Sequence, residues 1–156
     1  MRAYGTLMRD VALQWARTWQ PGKPFVMQNT TQAITLDIII RAIFGITDPE
    51  HVQRFHHKVM AALDAFVPSI VVLRGLRRNF FGFGPWARYT RAMGAIQQMT
   101  MAEVEKRRAD GIPREDILSL LLSCRYEDGR PLSDLELFSQ LFTFVFAGHE
   151  TTAITL

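Results

Sequence analysis

A single cysteine, Cys124, stands among 156 residues. One thiol builds neither an internal disulfide framework nor a cysteine-rich zinc module. Long apolar runs are missing too: no stretch approaches the roughly 18–20 apolar residues that a membrane-spanning helix requires. The first residues, Met1 to Gln14, carry two arginines and an aspartate and no unbroken apolar run. No secretory leader is legible there, and a reducing, cytoplasmic compartment is the expectation. Charge of one sign is scarce. Eighteen Lys and Arg against fifteen Asp and Glu leave a net charge of +3, a mild bias. Nucleic-acid binders concentrate their basic residues on one face. The dense basic cluster here is Arg74, Arg77 and Arg78, with Phe80, Phe81 and Phe83 just after it. It has no base-reading module beside it, so no nucleic-acid partner is expected. Repeats, low-complexity tracts, GxGxxG and P-loop patterns are absent. What is present, 48% hydrophobic and 21% charged residues, suits one domain able to bury a core.

The punctuation is that of an all-α chain. Pro21, Gly22 and Pro24 end an amphipathic segment from Tyr4 to Thr18, in which Leu7, Val11 and Trp15 repeat at helical spacing. A second helix is expected from Asn29 to Phe44. Its Ile34, Ile38, Ile39 and Ile40 make it apolar on most sides, hence buried, and Gly45 stops it. Asp48-Pro49-Glu50 starts a third, running to Phe66 before Pro68: Asp48 caps free N–H groups, and Pro49 loses nothing at the first helical position. Pro68 to Gly84 reads as a long loop. Pro85 opens a fourth helix that continues to Asp110, and Gly111 and Pro113 stop it. Arg114 to Cys124 is a short fifth, and Asp128-Gly129 is a turn. Ser133-Asp134-Leu135-Glu136 is a capping box, so the last helix starts near Ser133 and runs to Leu156. The aromatic and β-branched stretch Phe142 to Phe146 is compatible with a strand, but the box and the length of the segment favour helix. The expectation is six helices, one long loop and essentially no sheet.

The stretch richest in chemistry is Thr143 to Thr152, TFVFAGHETT. On a helix, Thr143, Ala147 and Thr151 lie four apart and share one face, with Glu150 near it. That face offers a small pair, Ala147 and Gly148, then an acid and a hydroxyl, with Phe146 adjacent. Small residues let a flat ligand approach the backbone. Gly148, with a threonine hydroxyl bonding back to the Ala147 carbonyl, permits a local opening of the helical ladder. An acid followed by a hydroxyl is a short proton path. The plainer alternative is a buried helix with a small-residue crossing point. Other patterns fail on spacing. His149-Glu150 begins like a zinc-protease helix, but Ala153 stands where the second histidine belongs. His51, His56 and His57 do not share one helix face and read as surface residues. Met93, Met99 and Met101 read as core filler.

AGHETT, Ala147 to Thr152, resembles the central-helix signature of the heme-thiolate monooxygenases, the cytochromes P-450: Ala/Gly-Gly-x-Asp/Glu-Thr-Thr/Ser, matched at every position. The flanks extend the resemblance. EDGRPLSDLELFSQLFTFVFAGHETT has the family's turn, capped start and apolar run, and TLDIIIRAIFG resembles its buried upstream helix. The order of helices and the long loop fit as well, and the likeness is greatest to soluble bacterial members. The resemblance implies the helical fold of that family, with the chain as its central part, Met1 not necessarily a true start, and further chain on both sides. It implies heme as cofactor, with dioxygen, a small organic substrate and an electron-donor protein as partners. Thr151 would then hold iron-bound dioxygen and pass protons to it, and Glu150 would feed that relay. Ala147 and Gly148 would lie against the distal heme face, and Thr143 and Phe146 would line the substrate pocket. The Pro68–Gly84 loop would be the flap over the substrate channel.

The chain departs from the family beyond the central helix. The family's proximal cysteine and Glu-x-x-Arg pair lie after that helix, beyond these 156 residues. Cys124 precedes the helix in the wrong context and reads as a helix-end residue. Glu105 to Arg108 and Glu127 to Arg130 also precede it and are accidental matches. The upstream tryptophan–arginine motif that meets a heme propionate is absent. The 156 residues by themselves are therefore expected to be inactive. The alternative function is a heme-free helical remnant, acting on partners or a membrane surface through its basic aromatic loop.

Overall fold

Glycines in left-handed geometry and side-chain caps divide the chain into helices. The computed structural model describes residues 2–66, 84–112 and 114–155, which hold six α-helices. They are α1 (Arg2–Ala16), α2 (Met27–Phe44), α3 (Pro49–Ala65), α4 (Pro85–Asp110), α5 (Ile117–Ser123) and α6 (Asp134–Thr155). Gly45 closes α2 at φ 62° and donates its N–H to the Arg41 carbonyl at 2.9 Å; Gly111 ends α4 at φ 59°. A side chain with a Cβ is strained there, so glycine is the favoured stop. Asp48 accepts the His51 N–H at 2.8 Å and so caps α3 as expected.

Several boundaries differ from the sequence expectation. α1 ends at Ala16 because the Thr18 hydroxyl and N–H both turn back onto the Trp15 carbonyl, at 2.7 and 2.9 Å, a local bond that competes with the helical ladder. α2 begins at Met27, two residues before the expected Asn29, with no side-chain cap at Val26. α5 begins at Ile117 rather than Arg114, because Asp116 accepts the Ser119 N–H at 2.8 Å and so becomes the N-cap. Most of the Pro68–Gly84 segment, with Arg74, Arg77, Arg78 and the three phenylalanines after them, lies outside the described residues.

The start of α6 follows its signature. Ser133 Oγ accepts the Glu136 N–H at 3.3 Å, and the Ser133 N–H donates to Glu136 Oε2 at 2.7 Å. Tyr126 donates to the other carboxylate oxygen at 2.9 Å, and Arg130 stands over the Tyr126 ring and reaches Glu136 at 3.5 Å. The Ser133 hydroxyl, then its N–H, then Tyr126 and Arg130 hold the Glu136 carboxyl down at about 2. The preceding turn is the expected one: Gly129 has φ 82° and Asp128 accepts the Arg130 N–H at 2.9 Å. Among the described residues extended pairing is confined to one bridge, Arg125 to Pro131, and Phe142 to Phe146 is helix.

The chain forms two compact units, residues 1–52 with 112–156, and residues 53–111. In the first, α2 is the hub: α6, α1 and α5 all pack on it. Its Leu36, Ile40, Ile43 and Phe44 are buried. α6 answers with Leu137, Leu141, Val145, His149 and Ala153, every fourth residue, all buried. A fully enclosed leucine such as Leu141 contributes about 2–3 kcal/mol by burial. In the second unit, Phe55, Val59, Ala62, Ile96 and Val104 are buried. Arg88 donates to the Asp64 carbonyl at 3.2 Å, and the Phe66 and Tyr89 rings lie 6.2 Å apart. Met93, Met99 and Met101 are half-buried along α4.

Candidate functional site

With the residues at 137, 141, 145, 149 and 153 turned inward, helical geometry turns another stripe outward. Thr143, Ala147 and Thr151 are exposed or half-exposed on it, and Glu150 and Phe146 are exposed beside them. Five of the six residues singled out from the sequence thus stand on the uncovered side of α6. The Thr143 hydroxyl donates to the Ser139 carbonyl at 2.7 Å, and the Thr151 hydroxyl to the Ala147 carbonyl at 2.5 Å. Each hydroxyl hydrogen is therefore held on the helix while the oxygen's lone pairs face outward. The ladder is unbroken through the signature. Phe138, Phe142 and Phe146 form a run of rings, with centroids 5.8 and 6.2 Å apart, from the buried face to the uncovered one. Phe146 ends that run beside Ala147.

Gly148, the sixth residue, serves the other side. A Cβ on it would stand 3.1 Å from Ile39 Cδ1 of α2, so its small size lets the two helices approach. On the same side the Thr31 hydroxyl is shared between the Gln28 carbonyl of its own helix at 3.0 Å and the Ala153 carbonyl across the crossing at 3.3 Å. Here sits His149, 1% exposed. Its pKa is pushed below the usual histidine value by burial, against an opposing pull from the Glu150 charge. Reading His149 only as a failed zinc motif misses this. The signal was its place four residues after Val145 and eight after Leu141, on the apolar stripe. Asp37 was missed as well; its four-residue spacing from Arg41 was the legible signal, while its bond to Trp15 had none. It is buried on α2 and accepts the Trp15 indole N–H at 3.2 Å and the Arg41 guanidinium at 2.5 Å.

A histidine held neutral by the fold makes stability depend on pH with a definite sign. Its folded pKa lies below its unfolded one, so the unfolded chain binds the extra proton as pH falls. The contribution is present above the ordinary imidazole range and is lost on acidification through it. The unfolding midpoint is therefore expected to drop between about pH 7 and pH 5. His149→Phe should flatten that slope. An equal slope in the variant, by urea titration at each pH, would remove His149 as its source.

Among the described residues no group of three His, Cys, Asp or Glu could hold a metal ion. His56 and His57 meet edge-on with centroids 6.3 Å apart on α3. Cys124 is exposed at the C-cap of α5. Glu105 and Arg108 form an exposed ion pair at 2.7 Å within α4. No single helix among the described residues is long and apolar enough to cross a membrane.

Comparison with known proteins bears on this arrangement as a whole. The family model for cytochrome P-450 matches residues 6–156. Cytochrome P-450 137 of Mycobacterium tuberculosis is 40% identical over 141 residues, 89% of this chain and 30% of that protein. Cytochrome P-450 135A1 of the same organism is 34% identical over 164 aligned positions, 100% of this chain and 35% of that protein. The chain thus spans about a third of the length of these curated relatives. Among solved structures, retinoic-acid-bound cyanobacterial CYP120A1 superposes with a TM-score of 0.74 at 20% identity, over 97% of this chain and 33% of that one.

Proposed function

This chain belongs to the cytochrome P-450 family, and we propose that it supplies the oxygen-side helix of a heme-thiolate monooxygenase. The observation that carries this is the division of α6 into two faces. One grips α2, and the other presents Thr143, Ala147 and Thr151 in line, uncovered, with Glu150 beside them. The uncovered face fits a flat cofactor, because between the two threonines the stripe carries one methyl group, that of Ala147. Gly148 contributes from behind, through the close α2 approach. Bound heme supplies the activation of dioxygen and the transfer of one oxygen atom to a C–H bond. Its cysteine ligand lies, in this proposal, outside these 156 residues.

The chain's own part is position and protons. Ala147 holds the approach to the helix backbone open. Thr151 Oγ1 accepts from a bound donor while its hydrogen rests on the Ala147 carbonyl, and it gives that hydrogen up by rotating away. Glu150, an exposed acid one residue earlier, resupplies it, which is general acid work by a positioned side chain. Thr143 and Phe146 line the substrate side, and the ring run ending at Phe146 favours a small, largely apolar organic molecule. An electron-donor protein is needed to drive the cycle, and the exposed free thiol of Cys124 suits a reducing cytoplasm.

The test uses the full-length protein. Under carbon monoxide and reductant it should give a thiolate-type heme spectrum. Ala147→Trp should abolish heme uptake while leaving the unfolding midpoint in place, since Ala147 is exposed. Stoichiometric heme in the Trp variant would overturn the assignment of this face. Absence of heme from the parent protein would favour the heme-free module instead.

A further inference from the structure

Two contacts fix how α2 crosses α6. Thr31 meets the Ala153 carbonyl, and Ile39 meets Gly148. The numbers rise on one helix as they fall on the other, so the helices are antiparallel. Thr35 lies one turn beyond Thr31 on α2. His149 lies one turn before Ala153 on α6. Both steps go the same way along the crossing, which brings Thr35 and His149 to one level of the interface. Thr35 is 3% exposed and His149 1%. Thr35 Oγ1 and His149 Nδ1 are the two enclosed side-chain polar atoms without a hydrogen-bond partner among the described residues.

Folded interiors rarely leave such atoms unpaired, because each has given up water and gained nothing. Two at one level of one interface point to a shared cause. The carboxylates nearest to them in sequence do not compete: Asp37 is committed to Trp15 and Arg41, and Glu150 is exposed. We propose that Thr35 Oγ1 and His149 Nδ1 hold one internal water between α2 and α6, and that this link makes His149 a positioning residue for Glu150 and Thr151. A threonine hydroxyl and an imidazole nitrogen each donate or accept as the tautomer requires, and two partners meet the minimum that buried water needs. The positional role follows from the neighbouring residues. Ala147 and Gly148 give that turn no side chain long enough to grip α2, and Gly148 loosens the helix. Between Val145 and Ala153, His149 is the buried side chain through which the turn is held.

The water link stands on the structure alone; the positioning role rests on the proposed function. In the full-length protein, Thr35→Val and His149→Phe should each lower the folding equilibrium constant by about tenfold, since each strands the other's polar atom. The double variant should fall well short of the product of the two, and strictly additive losses would overturn the link. Should either variant fail to fold, Thr35→Ser and His149→Asn keep a polar atom in place. A crystal structure showing ordered water then decides directly. Density bonded to both side chains supports the link, while a dry contact or a direct bond between them overturns it. With heme loaded, His149→Phe should raise peroxide released per electron several-fold, and His149→Asn should restore the parent value. An unchanged peroxide yield alongside a coupled double variant would overturn the positioning role and leave the water in place. Failure to bind heme would instead count against the reading of the uncovered face.

Discussion

Asp37→Ala should destabilise the protein by about 3 kcal/mol, the usual cost of removing one member of a buried ion pair. The Asp37 and Arg41 side chains are only 12% and 14% exposed and meet at 2.5 Å, one helical turn apart. Asp37 also takes the Trp15 indole N–H at 3.2 Å, which ties α1 to α2, and Arg41 reaches on to the Thr47 carbonyl at 3.1 Å. Deleting the carboxylate leaves a guanidinium and an indole N–H in a half-dry site with one acceptor between them. Asp37→Asn keeps an acceptor for the indole and loses the charge, so about half the cost is expected. Arg41→Met in the Ala background should recover part of the loss, because it removes the stranded charge. Urea unfolding of these variants beside the parent measures all of this. An Ala cost below about 1 kcal/mol would show that the pair is screened as surface pairs are.

Asp37 also shows where sequence reading stops. α2 read as a helix apolar on most sides and hence buried; of the isoleucines behind that reading Ile40 is buried and Ile34, Ile38 and Ile39 are half-buried, while Leu36, Ile43 and Phe44 complete the buried face. Yet Thr31, Thr35 and Asp37 are buried beside them: Thr31 and Asp37 each bond within α2 and also to a group from another helix, and Thr35 has no hydrogen-bond partner among the described residues. Nothing within α2 says that an indole 22 residues earlier waits for the carboxylate. By contrast, signals that act within one turn were legible: the Ser133 capping box, the Asp48 cap, the Gly45 and Gly111 stops and the Asp128-Gly129 turn. The same contrast divides the candidate site. The threonine–alanine–threonine line was visible from periodicity, because four-residue spacing puts residues on one face whatever packs behind them. Which face is uncovered was not visible, since Phe144 and Phe146 are as apolar as Leu141 and Val145, and only the packing on α2 distinguishes them. Gly148 shows both sides of this: its smallness was noted, and the partner that requires it, Ile39, belongs to a helix far earlier in the sequence.

Thr151→Ala should divert most of the oxygen consumed by the full-length, heme-loaded protein into peroxide, with product formed per electron falling by about tenfold or more. The fold itself is nearly indifferent to this residue. Thr151 is exposed, its hydroxyl serves a carbonyl of its own helix, and alanine is the better helix former by a few tenths of a kcal/mol. An unfolding midpoint equal to or above the parent's is therefore expected, so a loss of product cannot be assigned to damage. Thr151→Ser should restore coupling, because it returns the hydroxyl without the methyl. Glu150→Gln should behave differently: with the acid gone but the hydroxyl in place, resupply slows, and turnover falls more than the peroxide fraction rises. The two readouts thus separate the residue that presents the proton from the one that replaces it. Unchanged product yield in Thr151→Ala would remove the proton role from this helix face, and Ala147 and its neighbours would remain a surface for the cofactor alone.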